Sequence, residues 1–166
     1  MNNAAQPVCT AQAGKHLTFE LAAEVYGIEI TKVQEIIGIM PVTHVPRVPP
    51  FVRGVINLRG RVIPVVDLRV KFEMESQADT ERTCIIVVQV MRGETLVVMG
   101  ILVDEVSEVL DIKADQLEPP PAFGSSVETD FIMGMGKIGE RIVVLLDIDR
   151  VLAGDELEAI EGAANM

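Results

Sequence analysis

Val52-Arg53-Gly54-Val55, followed by Arg61-Val62-Ile63-Pro64-Val65-Val66-Asp67-Leu68, is a stretch that the chain writes twice. It recurs as Ile132-Met133-Gly134-Met135, followed by Arg141-Ile142-Val143-Val144-Leu145-Leu146-Asp147-Ile148, with Gly134 and Asp147 each 80 positions beyond Gly54 and Asp67. Upstream, Gly27-Ile28 through Val33-Gln34-Glu35-Ile36 matches Gly100-Ile101 through Val106-Ser107-Glu108-Val109, here 73 positions apart. The seven-residue difference falls between the two blocks, where Pro46, Pro49 and Pro50 lie in one copy and Pro119, Pro120 and Pro121 in the other. Proline cannot donate to a central ladder, so length changes gather in loops there. Aliphatic strands resemble one another by chance, but matched Gly, Glu, Arg and Asp positions do not. The chain is an internal duplication.

Each copy reads as several short strands with almost no helix. Tyr26, Ile28 and Ile30 alternate with Gly27, Glu29 and Thr31, the period of a half-buried strand. Residues 61–66 and 141–146 are continuous apolar runs ending at Asp67 and Asp147, and each Asp is placed to cap a helical turn, over 68–72 and 148–152. Residues 83–90 and 95–103 flank Arg92-Gly93-Glu94 as a hairpin. Val33, Ile36, Ile37 and Ile39 fit neither the helical nor the strand period. Short strands punctuated by Gly and Pro point to small barrels. The architecture expected is all-β, two barrels from one duplication, with strand exchange between them left open.

The 166 residues are 49% hydrophobic, with a mean hydropathy of +0.35, which excludes disorder for the bulk of the chain. Aromatics are 4% and Trp is absent, so the core must be built from Val, Ile and Leu, residues suited to strands. No apolar run approaches the ~20 residues of a spanning helix, and residues 1–14 lack an apolar signal core. No direct membrane insertion is expected. Cys9 and Cys84 are too few for a disulfide framework or a zinc site, in keeping with a reduced cytoplasmic protein. A net charge of −11 argues against nucleic acid. The charge is uneven: residues 47–71 carry six cations and one acid, a local net of +5 against −16 for the rest. That segment has two readings, docking to an acidic partner or loop arginines that keep the fold soluble.

Catalytic chemistry finds no anchor. His16 and His44 lie in no recognisable motif, and Cys84 opens an apolar strand as a core residue would. The carboxylate pairs Asp104-Glu105 and Asp147-Asp149 fit solvent-facing or capping roles better than acid–base work. Glycines at 54–60 lack the Walker spacing, and those at 134–139 do not fit the dinucleotide fingerprint. The aromatics are scattered singly along the sequence, which weakens an oligonucleotide-binding reading. No enzyme activity, metal or cofactor is expected.

Val33-Gln34-Glu35-Ile36, then residues 49–60 (Pro-Pro-Phe-Val-Arg-Gly-Val-Ile-Asn-Leu-Arg-Gly), then residues 62–69 (Val-Ile-Pro-Val-Val-Asp-Leu-Arg), closely resemble the CheW family. The likeness runs from about residue 16 to residue 152. It implies two small five-stranded barrels, SH3- or OB-like, packed on a shared core. It also implies a domain over 15–153, with one copy at about 16–73, a linker at 74–82 and a second copy at about 83–153. A flexible tail at 1–14 and an acidic tail at 154–166 flank it, and 118–129 reads as a mobile loop.

The same resemblance implies an adaptor in bacterial chemotaxis. Its partners would be the regulatory domain of a CheA-type histidine kinase and the cytoplasmic tip of methyl-accepting receptors, in membrane-associated arrays. Carried over by motif position, Val33, Glu35, Gly54, Asn57, Arg59 and Gly60 are the expected receptor-binding residues. Kinase-contact residues are not assigned. Asn57, Arg59 and Gly60 become Lys137, Gly139 and Glu140 in the second copy while the flanking strands are kept, so this turn is free to be specialised. Arg59 has two compatible readings, a forked donor to a receptor carboxylate or a structural salt bridge with Glu35. Two other functions stay open: a small-molecule sensor, which needs a pocket of convergent polar groups, and a coupling protein of pilus or gliding systems. An adaptor should instead expose aliphatic patches at its edges.

Overall fold

The computed structural model describes residues 9–75, 78–121 and 130–152; the loop expected at 118–129 and the C-terminal tail fall largely or wholly outside them. The strands are β1 (Gly14–Leu21), β2 (Glu24–Glu29), β3 (Val33–Gly38), β4 (Val52–Leu58), β5 (Arg61–Asp67), β6 (Cys84–Arg92), β7 (Thr95–Val103), β8 (Glu105–Ile112), β9 (Leu117–Glu118), β10 (Ile132–Ile138) and β11 (Arg141–Leu146). Two single helical turns, α1 (Leu68–Lys71) and α2 (Ile148–Val151), follow β5 and β11. The chain is all-β, and both expected capping aspartates act as caps. Asp67 accepts from the Arg69 amide and Asp147 from the amides of Asp149 and Arg150. The hairpin is there too: Arg92 pairs with Thr95 around Gly93-Glu94.

The duplication is visible in the irregularities as well as in the strands. Both third strands carry a bulge at the matched position, after Val33 in β3 and opposite the Leu17–Phe19 step in β8. The matched strands β4 and β10 carry one as well, between Val52 and Gly54 and between Ile132 and Gly134. A bulge inserts one residue into the alternation. Gln34 is that residue in β3, which is why Val33, Ile36 and Ile37 fit no single period.

The sheets do not follow the copies. One runs β3-β6-β7-β5-β4 and the other β8-β1-β2-β11-β10-β9, so each takes strands from both halves of the duplication. The chain crosses between sheets after the second strand of each copy, through the turn Ile30–Lys32 and through Asp104. Strand exchange is thereby settled. The expected count of five strands holds for one sheet, and the two-residue β9 adds a sixth to the other. No backbone ladder among the described residues joins β3 to β4 or β8 to β9, so what is seen is two sheets, without hydrogen-bonded closure into barrels.

Three apolar clusters explain the continuous aliphatic runs. Ile86, Val88, Val66 and Ile101 of the five-stranded sheet fill a central core between the sheets, with Leu17, Phe19, Ile28 and Leu146 from the six-stranded one. Their neighbours Ile85, Val87, Val65 and Leu102 point the opposite way into a second cluster, and Val143 and Leu145 into a third. Strand side chains alternate between faces, so a run of consecutive apolar residues is what a strand buried on both faces requires. The aromatics, scattered in sequence, come together here: Phe19, Tyr26, Phe72 and Phe131 form a row with ring centroids 5.4–6.2 Å apart against the central core. Cys84 is half-buried on the same core. Residues expected within the N-terminal tail lie along β10, where the amides of Thr10 and Ala11 donate to the Met133 carbonyl.

Candidate functional site

Leu58 pairs with Arg61, leaving Arg59-Gly60 as the two-residue turn of the β4–β5 hairpin. Their φ angles are 53° and 86°, both left-handed, the geometry that matches strand twist and is normally filled by Asn and Gly. Asn57 holds the turn by accepting the Gly60 amide at 2.8 Å. A non-glycine residue in this region costs roughly 1–2 kcal/mol. In the matched turn of the second copy the left-handed position belongs to Gly139, φ 63°. The first copy thus keeps an arginine where its twin uses the residue that fits without strain.

The arginine side chain has a partner. Its two terminal nitrogens donate to the two carboxylate oxygens of Glu35, each at 2.7 Å, a bidentate fork. Glu35 stands on β3 and Arg59 at the end of β4, the two edge strands of the five-stranded sheet, so the pair draws the edges together through side chains. Hydrogen bonding to Arg59 holds the Glu35 carboxyl below its ordinary range, and the guanidinium is pushed above its own. The salt-bridge reading of Arg59 is therefore correct. The arginine side chain is nonetheless 69% exposed, so it can face a partner while paired.

Glu35, Asn57, Arg59 and Gly60 meet around this turn. Val33 precedes Glu35 on the same strand, half-buried on the central core. Gly54 lies apart from them and is buried. A Cβ there would run into the carbonyl of Thr43 and the side chain of Val42, because Thr43 bridges to Val55 across β4. Packing alone accounts for glycine at 54. Among the described residues no group of three His, Cys, Asp or Glu is placed to hold a metal.

The basic segment is largely consumed inside the fold. Arg69 has a side chain only 3% exposed and donates to Asp67, Asp79 and Asp104 at 3.0–3.3 Å. Arg53 pairs with Asp67 and Asp79, and Lys71 lies over the Phe51 ring at 4.3 Å. Arg47 and Arg61 are exposed. Sequence reasoning did not find the Arg69 cluster: an arginine two residues after an aspartate looks like any surface charge, and its other carboxylates come from residues 10 and 35 positions away.

Large aliphatics stand exposed at matched positions of the two copies. Ile36 and Val109, on the edge strands β3 and β8, are 44% and 47% exposed; Val62 and Ile142, one residue into β5 and β11, are 62% and 52% exposed. Of these, Ile36 and Val109 lie on sheet edges, where the sequence reading asks for exposed aliphatics, while Val62 and Ile142 lie on strands inside their sheets.

Comparison with known proteins agrees over nearly the whole chain. A model described as CheW-like domain matches residues 15–156. The chain is 42% identical over 148 residues to the chemotaxis protein CheW of Klebsiella aerogenes, covering 89% of this chain and 87% of that one. To the chemotaxis protein CheW of Rhizobium meliloti it is 37% identical over 155 residues, covering 89% and 97%. Among solved structures, the scaffolding protein TtCheW from Thermoanaerobacter tengcongensis superposes with a TM-score of 0.76 at 31% identity, covering 87% of this chain and 96% of that one.

Proposed function

The chain belongs to the CheW-like domain family, and from that membership we propose that it is a chemotaxis scaffold that works by holding signalling partners together. The partners are the regulatory domain of a CheA-type histidine kinase and the cytoplasmic tip of methyl-accepting receptors. The protein carries no catalysis of its own and reaches the receptor arrays by these contacts; none of its described helices is long and apolar enough to cross a membrane.

One observation carries the receptor assignment. Arg59 occupies a left-handed turn position that the second copy gives to Gly139, and it is forked onto Glu35 with its outer side in solvent. Strain retained in one copy and relieved in the other marks a side chain kept for what it contacts. Bidentate donors suit a receptor carboxylate or the carbonyls at a helix end, and arginine is favoured at interface hot spots. Val33, Glu35, Asn57 and Gly60 form the surroundings of that contact. Gly54 serves it indirectly, by letting the Thr43 segment pass over β4.

Titration calorimetry tests the reading with the co-encoded kinase regulatory domain and with a receptor-tip fragment, for wild type and Arg59→Glu. Binding of wild type to both, with the substitution impairing the tip and sparing the kinase, is the expected result. No binding of wild type to either partner sinks the proposal.

A further inference from the structure

Arg69 and Asp149 occupy the same position of the duplicated helical turn, 80 residues apart, with opposite charge. Each reaches the connector by which the other copy crosses between the sheets. From α1, Arg69 donates to Asp104 at 3.1 Å, and Asp104 also accepts the amide of Ala22 from the β1–β2 turn at 2.8 Å. From α2, Asp149 accepts from Lys32 at 2.6 Å and from the amide of Met91, near the end of the β6–β7 hairpin, at 2.8 Å. The two assemblies have the same parts: a helical turn of one copy, the crossing connector of the other, and an amide of the matched hairpin. In both, one carboxylate bridges a cation and that amide. Only the element bearing the carboxylate is exchanged, from the connector in one to the helical turn in the other.

The two locks differ in strength. Arg69 is buried and shared among three carboxylates. Lys32 has one carboxylate, both members are partly exposed, and an ammonium on a flexible stem is a weaker clamp than a guanidinium fork. Lys32 also immediately precedes Val33, the first residue of β3, with Glu35 two positions on.

We propose that Lys32 and Asp149 are positioning residues for the receptor site: their ion pair fixes where β3 leaves the sheet crossing, and so where Val33 and Glu35 stand relative to the Arg59 turn. The inference rests on the receptor assignment above for its consequence in binding, and on geometry alone for its consequence in the free protein.

The test uses the whole chain with Lys32→Gln, Asp149→Asn, the double substitution, and Lys32→Arg as the conservative control. Asparagine at 149 keeps an oxygen for the Met91 amide and removes only the charge. Two readouts are taken: receptor-tip affinity by calorimetry, and backbone amide shifts of the free protein by NMR. Each single change is expected to weaken tip binding about fivefold, the double no more than either alone, and Lys32→Arg to stay within about twofold of wild type. In the free protein the Val33 and Glu35 amides should move while their counterparts in β8, Val106 and Glu108, hold. Unmoved Val33 and Glu35 amides overturn the proposal whether or not the tip binds. Tip affinities within about twofold of wild type in all variants, or multiplicative losses in the double, also overturn it. Failure of the wild-type protein to bind the tip would instead remove the receptor assignment and leave the NMR comparison to decide the lock.

Discussion

Asp67 binds Arg69 three times over: its Oδ1 accepts both the backbone amide and Nε of Arg69, each at 3.0 Å, and its Oδ2 accepts a terminal nitrogen at 3.1 Å. One carboxylate therefore caps the helical turn and neutralises the cation that the turn buries. Asp104 reaches the same arginine from the connector between β7 and β8, and Asp79 from the segment that joins the two copies. Three separate stretches of chain are tied at one guanidinium.

Arg69→Met should accordingly be among the most damaging single changes in the protein. Methionine matches the stem but leaves the carboxylates of Asp67, Asp79 and Asp104 close together with less compensation. Removing one partner of a buried charge cluster costs about 3–5 kcal/mol, and for a chain of this size each kcal/mol lowers Tm by about 2–4 °C. A calorimetric or circular-dichroism melt at neutral pH should show a fall of roughly 10 °C. A fall of under about 2 °C would mean that the cluster is stabilised by little more than surface charges are.

Arg59→Gly separates binding from stability. It installs the residue that the second copy uses in the same turn, so the left-handed strain is relieved while the exposed ion pair with Glu35 is lost. Those effects oppose each other, and the melting temperature should change little. Receptor-tip affinity should fall at least about tenfold, the scale of a lost hot-spot side chain. Full binding with Gly at 59 would reduce the arginine to a fold element.

Glu35 offers a pH readout of the same pair. Its carboxyl is held below the ordinary glutamate range, first by the hydrogen bonds from Arg59. Since the unfolded chain binds that proton more tightly, the pair contributes fully above the ordinary glutamate range, and the contribution is lost as pH falls through the lowered value. An NMR titration of the Glu35 carboxyl should show the depressed midpoint in wild type and a return toward the ordinary value in Arg59→Ala. Identical midpoints in the two proteins would show that the fork does not persist in solution.

The readable parts of the fold were those encoded locally. The capping aspartates at 67 and 147 and the β6–β7 hairpin follow from side chains a few positions apart, the duplication shows directly as matched residues 73 and 80 positions apart, and the structure has each of them. Sheet membership was unreadable, because alternation says that a segment is a strand and nothing of which strand it pairs with. The crossing depends on one 3₁₀ turn at Ile30–Lys32 and a single residue at Asp104, too little sequence to signal a change of sheet. At the site, the Arg59–Glu35 salt bridge is one of the two readings that the sequence offers, whereas Arg59's left-handed φ is a backbone fact that no residue name reveals.

Gly54 and Gly134 make a second matched pair with unequal demands. At both, a Cβ would press on a neighbouring segment: Thr43 at Gly54, and Cys9 with the Glu118 carbonyl at Gly134. Only Gly54 also has a left-handed φ, 144°, and its closest obstacle is backbone. Gly54→Ala should therefore cost more, on the order of 3 kcal/mol, than Gly134→Ala, where the Cys9 side chain can shift. Denaturant melts of the two variants decide it. Equal losses would place the cost in crowding and not in the backbone.

The exposed aliphatics make the last prediction, and it concerns the kinase. Ile36 and Val109 stand at one matched position on edge strands of different sheets, so a partner that reads edges has two similar places to hold. Ile36→Asp and Val109→Asp change only solvent-facing groups, and stability should stay within about 0.5 kcal/mol. A docked aliphatic replaced by a charge must be desolvated to bind, which costs several kcal/mol unless it finds a counter-charge. Kinase regulatory-domain affinity should thus fall by about a hundredfold at whichever edge is used. A fall at one position alone assigns the kinase to that sheet, and falls at both assign one contact to each. Unchanged affinity in both variants would move the kinase contacts off these edges, toward the hairpin positions Val62 and Ile142.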